Sequence, residues 1–91
     1  MNRQQFNSKM KKATSKEERI SLSDTYAGEL FEKEKYREAA EVFSGALKLT
    51  AEPNIKAYFM GRIGICHFNS GNDKEAFSYL TKSIQLFEPD K

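Results

Sequence analysis

From Phe59 to Phe87 the apolar residues recur at helical spacing, with no run of the strict alternation that marks a strand. Phe59, Ile63 and Cys66 lie three and four residues apart, which stacks them on one face of a helix. Ser70-Gly71 predicts the end of that helix, because glycine enters the left-handed backbone region without steric cost. Asn72 or Asp73 then supplies an N-cap. Ala76, Phe77, Leu80, Ile84 and Phe87 form a second apolar stripe, which Pro89 closes. The stretch predicts a helix, a turn and a helix.

The preceding segment carries the same order of residues. With Ala39 placed on Ala76, Phe43 falls on Leu80, Ala46 on Ser83, Leu47 on Ile84 and Leu49 on Leu86, while Ala27 falls on Gly64 and Leu30 on His67. Small residues meet small and bulky meet bulky at a constant offset of 37 residues. Ser15 followed by Glu18 has capping-box spacing and predicts a helix from near Lys16 through Leu22, Tyr26, Ala27, Leu30 and Phe31 to about Lys33. Glu34-Lys35 is expected to turn the chain, and Tyr36–Leu49 to form the next helix. A loop from Ala51 to Lys56, around Pro53, is expected to join the two hairpins.

This pattern resembles the tetratricopeptide repeat, a helical hairpin that stacks into a superhelix. The resemblance runs from about Ile20 to Pro89. Repeat one offers Ala27, Leu30, Ala39, Phe43, Ala46 and Pro53 at the family's marker positions; repeat two offers Gly64, His67, Ala76, Leu80, Ser83 and Pro89. Leu30 and His67 at an aromatic position, Leu80 at another and the late prolines depart from the pattern. The implied fold is all-α, with antiparallel helical hairpins stacked as a short right-handed superhelix. Residues 1–15 are expected to be a basic N-terminal arm and 16–91 a two-repeat domain, with repeat one at about 20–53 and repeat two at about 57–89. Helices crossing at ~8–10 Å leave room only for small side chains, so Ala27, Gly64, Ala39 and Ala76 are expected at the crossings.

Composition narrows the chemistry. Ninety-one residues make one domain with a modest core. Cys66 is the single cysteine and His67 the single histidine, and adjacent helical residues point about 100° apart, so they predict neither a nucleophile–base pair nor a zinc site. No glycine-rich phosphate loop is present, and the chain reads as a non-enzyme without cofactor or metal. No apolar run is long enough for a signal peptide or membrane span, so an intracellular, cytoplasmic setting is expected. Arg3, Lys9, Lys11, Lys12 and Lys16 meet no acid in the first sixteen residues, whereas the remainder holds ten basic and thirteen acidic residues. This arm lacks the aromatic platforms of a nucleic-acid tail, which makes nucleic acid an unfavoured partner. Phe6 and Met10, four apart within it, suggest instead a helical turn that docks on the first repeat.

What the resemblance implies is protein binding, as an adaptor or scaffold. The first helices of successive hairpins would line a concave groove for a peptide or helix, presenting Asp24, Thr25, Gly28, Phe31 and Glu32 from repeat one, and Tyr58, Arg62, Ile65 and Asn69 from repeat two. Some family members clamp the terminal carboxylate of heat-shock chaperones; here Asp24 and Gly28 stand at the lysine and asparagine places and only Arg62 fits. Arg62 is the natural carboxylate anchor or, alternatively, one half of a surface ion pair. Val42 and Leu49 are expected to pack on the following helix, leaving their equivalents Tyr79 and Leu86 as an open face for a partner helix or a second copy. The alternative role is a structural subunit or homodimer stabilised by its neighbour.

Overall fold

The computed structural model describes residues 1–87 as α1 (Arg3–Lys12), α2 (Lys16–Glu32), α3 (Tyr36–Leu47), α4 (Pro53–Asn69) and α5 (Asp73–Phe87), with no strand among them. Helices α1, α2 and α4 start where the sequence supplies a cap or a proline, α3 directly after the Glu34-Lys35 turn. Pro89 lies outside the described residues. Asn2 and Gln5 cap α1 reciprocally. The Ser15 hydroxyl accepts the Glu18 N–H at 3.1 Å, while the Glu18 carboxylate takes the N–H of Thr14, one residue before the cap.

Pro53 corrects the expected loop. It occupies the first turn of α4, where a helix has no use for the N–H that proline lacks, so residues 53–56 are helical and the connection shrinks to 48–52. Helix α3 correspondingly ends at Leu47 rather than Leu49, and Leu49 closes a tightened last turn through its N–H to the Ala46 carbonyl (3.0 Å).

The two hairpins, α2–α3 and α4–α5, turn by the same hydrogen bonds. Lys35 N–H reaches the Leu30 carbonyl at 2.8 Å and Glu34 N–H that of Phe31 at 2.9 Å; Asn72 and Gly71 repeat this with His67 and Phe68 at 2.8 and 3.1 Å. All four pairs preserve the offset of 37, and Glu34 (φ 63°) and Gly71 (φ 83°) occupy the same left-handed position. Glycine takes that conformation freely. Glutamate is held in it by the turn.

Ala27, Ala39, Gly64 and Ala76 are all buried at the crossings, as their size requires. A Cβ on Gly64 would stand 2.8 Å from Cγ of Leu80, so α4 and α5 touch there. Beside it the Ser83 hydroxyl donates to the Ala57 carbonyl at 2.6 Å, satisfying a buried polar group where Gly61 lets the helices close. Between the hairpins Phe43 and Phe59 meet with ring centroids 6.0 Å apart, flanked by Tyr26, Leu30, Ile63 and Cys66 in one continuous core.

Helix α1 extends that core. The Phe6 ring stacks on Tyr26 at 4.6 Å, Met10 packs beside it, and Arg3 lies over the outer face of Tyr26 and pairs with Glu38. Burial of Phe6 alone stabilises the docked helix by roughly 1.5–3 kcal/mol. Its presence reassigns Val42 and Leu49. They line a cavity with Phe6, Met10 and Ser23 and so face back toward α1, instead of forward toward α4. Their counterparts follow suit: Tyr79 is half-buried against the core with its ring stacked on His67 at 5.6 Å, and Leu86 is also half-buried, so neither forms the expected open face. The most exposed apolar side chains of the second hairpin are Phe68, Phe77, Ile84 and Phe87, with Ile55, Tyr58 and Ile65 less exposed along α4.

Candidate functional site: a groove between α2 and α4

Helices α2 and α4 are the first helices of the two hairpins, and a cleft of about 390 Å³ runs between their N-terminal halves. One end is apolar. Ile20 from α2 and Ile55, Tyr58 and Phe59 from α4 form its walls, with Glu17 and Asn54 at the rim. Asp24 and Tyr58 close the cleft across the two helices, the Tyr58 hydroxyl donating to the Asp24 carboxylate at 2.9 Å. Burial foremost, and then this bond to Asp24, push the Tyr58 phenol above its ordinary value, so at neutral pH it stays a protonated donor.

Arg62 sits one turn further along α4. Its guanidinium carbon lies 5.0 Å from the ring centre of Phe31 and 5.4 Å from that of Phe43, an arrangement in which the ring faces attract the cation. The ion pairs among the described residues are Met1–Glu29 and Arg3–Glu38, and Arg62 takes part in neither. Its Nε is buried with no acceptor. The side chain is therefore anchored by rings and retains unused hydrogen-bond donors.

The remaining expected groove residues fall on the same two helix faces. A Cβ on Gly28 would meet nothing within 4 Å, which leaves the wall of α2 open at that point. Ile65 and Asn69 are exposed on α4 beyond Arg62, and Thr25 and Glu32 are exposed on α2. The structure thus joins Asp24 to Tyr58 and Phe31 to Arg62 by direct contact, whereas Gly28, Ile65 and Asn69 do not line the cleft.

The walls add Ile20, Ile55 and Phe59 to that set, and Phe43 lies beneath Arg62. Ile20 and Ile55 lie one turn before Asp24 and Tyr58 on the same stripes, a periodicity visible in the sequence but masked at Ile55 by the loop assigned around Pro53. Phe43, the floor beneath Arg62, comes from a different helix, and no local pattern announces it. Cys66 and His67 lie off the groove. Cys66 is buried, which pushes its thiol up to about 11 and keeps it protonated, while His67 stacks on Tyr79 and has Nδ1 3.3 Å from the Asn72 amide nitrogen. No described helix is long and apolar enough to cross a membrane.

The architecture is that of an all-helical chain whose two hairpins repeat one another and enclose a groove. No protein-family model matches the chain, and no solved structure matches it. It is similar to the photosystem I assembly protein Ycf3 of Rippkaea orientalis, with 37% identity over 51 residues, covering 56% of this chain and 30% of that protein. The chain therefore matches less than a third of that relative's length.

Proposed function

We propose that this chain is a protein-interaction module of the tetratricopeptide type, an adaptor or scaffold that takes an extended peptide or helix of a partner protein in the α2–α4 groove. The observation that carries this reading is Arg62: a guanidinium resting on Phe31 and Phe43, without an acid partner among the described residues, one helical turn along α4 from Tyr58 in the wall of an apolar cleft. A planar cation with free donors binds a carboxylate through two parallel hydrogen bonds, and its anchoring lowers the entropy lost on binding. An apolar partner side chain would fill the space between Ile20 and Ile55, and an acidic side chain or terminal carboxylate would meet Arg62. Gly28, Ile65 and Asn69 would line the path between Arg62 and the far end. The likeness to a protein named for assembly of a complex agrees with a scaffold role.

Affinity measurement with a captured partner tests the proposal. R62A is expected to weaken binding roughly 10- to 100-fold, the cost of removing a charge-assisted hydrogen-bond donor, with R62K intermediate. R37A, on the exposed start of α3, should leave binding unchanged. Circular dichroism of each variant separates lost binding from lost fold. Unchanged affinity in folded R62A would contradict the reading.

A further inference from the structure

Among the described residues, no element covers the second hairpin as α4 covers the first. Phe77, Leu80, Thr81 and Ile84 on α5 correspond, at the offset of 37, to Ala40, Phe43, Ser44 and Leu47 on α3. That α3 stripe faces α4: Phe43 meets Phe59, and Ala40 and Ser44 border Cys66 and His67 across the junction. On α5 the middle of the same stripe is half-buried, Leu80 packing against Gly64 of α4, while its two ends stand open among the described residues, Phe77 being 74% and Ile84 58% exposed. Phe68, the counterpart of Phe31, is 64% exposed beside it, and Phe87 at the far end is 53% exposed. Phe31 by contrast lies under Arg62 of the next hairpin.

Independently of the groove, we propose that this face pairs with the same face of a second copy, α5 against α5 in antiparallel fashion about a two-fold axis. The stripe is self-complementary. Positions 77, 80, 81 and 84 are symmetric about their own midpoint, so an antiparallel partner brings Phe77 opposite Ile84 twice and Leu80 opposite Thr81 twice. None of the four is charged, and the two-fold relation satisfies the rule that an isologous contact uses one patch on both chains. From the exposures, the four large side chains Phe68, Phe77, Ile84 and Phe87 offer about 500 Å² per copy, on the order of 1,000 Å² for the pair. That lies just below the 1,200–2,000 Å² of stable complexes and implies a reversible, concentration-dependent dimer.

Sedimentation equilibrium of the full chain over a hundredfold concentration range, from about 10 μM to 1 mM, tests this, with a charge-swap pair fixing the register. The wild-type chain should move from monomer to dimer across this range. F77E and I84K, both at exposed positions, should each keep native helicity and weaken dimerisation at least ~100-fold, because each places two charges in an apolar contact. Mixed in equal amounts, the two variants should recover dimer, since the introduced carboxylate then faces the introduced ammonium while Ile84 of one chain still faces Phe77 of the other. A wild-type chain that stays monomeric to 1 mM would overturn the proposal and leave the face to another protein's helix. Dimers that survive both variants, or variants that do not recover dimer on mixing, would equally overturn it.

Discussion

Replacing Phe43 with alanine is expected to lower the stability of the chain by about 3–5 kcal/mol, the largest loss available from one side chain. Phe43 is fully buried, and its ring joins the hairpins: α3 reaches α4 through Phe59, and Arg62 rests on its face. Removing it leaves a cavity at the junction where one repeat is held to the next, and the rigid helices on either side can collapse only partly into the space. For a domain of this size each kcal/mol lowers the melting temperature by about 4–8 °C, so a drop of roughly 12 °C or more is expected. Thermal denaturation followed by far-ultraviolet circular dichroism measures it. A drop of only a few degrees would mean that the hairpins are stable separately and that their junction contributes little.

Gly64→Val is the second large effect, expected to cost about 1–3 kcal/mol by overpacking, while Gly45→Ala acts in the opposite direction. A Cβ at Gly64 meets Leu80 at 2.8 and 3.0 Å and the Ala76 carbonyl, a backbone atom, at 3.3 Å. Leu80 can shift, but the carbonyl moves only with its helix. A Cβ at Gly45 meets nothing within 4 Å, so there the better helix propensity of alanine is expected to add about 0.5–1 kcal/mol. Urea denaturation of the two variants reads both signs. Equal effects would mean that helix propensity, rather than the close approach of α4 to α5, decides what these positions tolerate.

These two sites show what could be read from the chain before its structure. The repeat was legible because each hairpin needs small residues where its helices cross, which leaves marks at a fixed offset, Ala27 and Gly64, Ala39 and Ala76; the left-handed turn was legible at Gly71 but not at its counterpart Glu34, whose side chain gives no sign of it. The repeat register also placed Asp24 and Phe31 on α2 and Tyr58 and Arg62 on α4 at equivalent positions, and the structure brings them into contact as Asp24 with Tyr58 and Phe31 with Arg62; that they hold a partner is the proposal. The start of α4 was hidden because proline signals both the end of one helix and the first turn of the next, and only the chain geometry around Pro53 distinguishes them. The orientation of α3 was hidden for a different reason. Helix α3 and the turn after it carry two apolar stripes, one with Val42 and Leu49 and one with Ala40, Phe43 and Leu47; which neighbour covers which depends on α1, whose region reads as a charged arm apart from Phe6 and Met10. The exposed face therefore lies at Phe77 and Ile84 rather than at Tyr79 and Leu86. The cradle of Arg62 needs Phe31 and Phe43, two distant positions whose meeting is set by packing alone.

The two proposed surfaces are separate. The groove lies between α2 and α4, with Arg62 as its polar anchor, whereas the apolar end face lies on α5 and the C-terminal part of α4. A chain built this way can hold a partner segment in the groove while a second copy covers the end.

The most direct test of the central proposal is the amide chemical-shift map of the isotopically labelled chain, recorded with and without a captured partner at a concentration where the chain is monomeric. The proposed function predicts perturbations along Asp24, Gly28, Phe31, Tyr58, Arg62, Ile65 and Asn69, with Phe77 and Ile84 unmoved. Perturbations confined to α5, or to the face of α3 that carries Glu41, with Tyr58 and Arg62 unmoved, would contradict it.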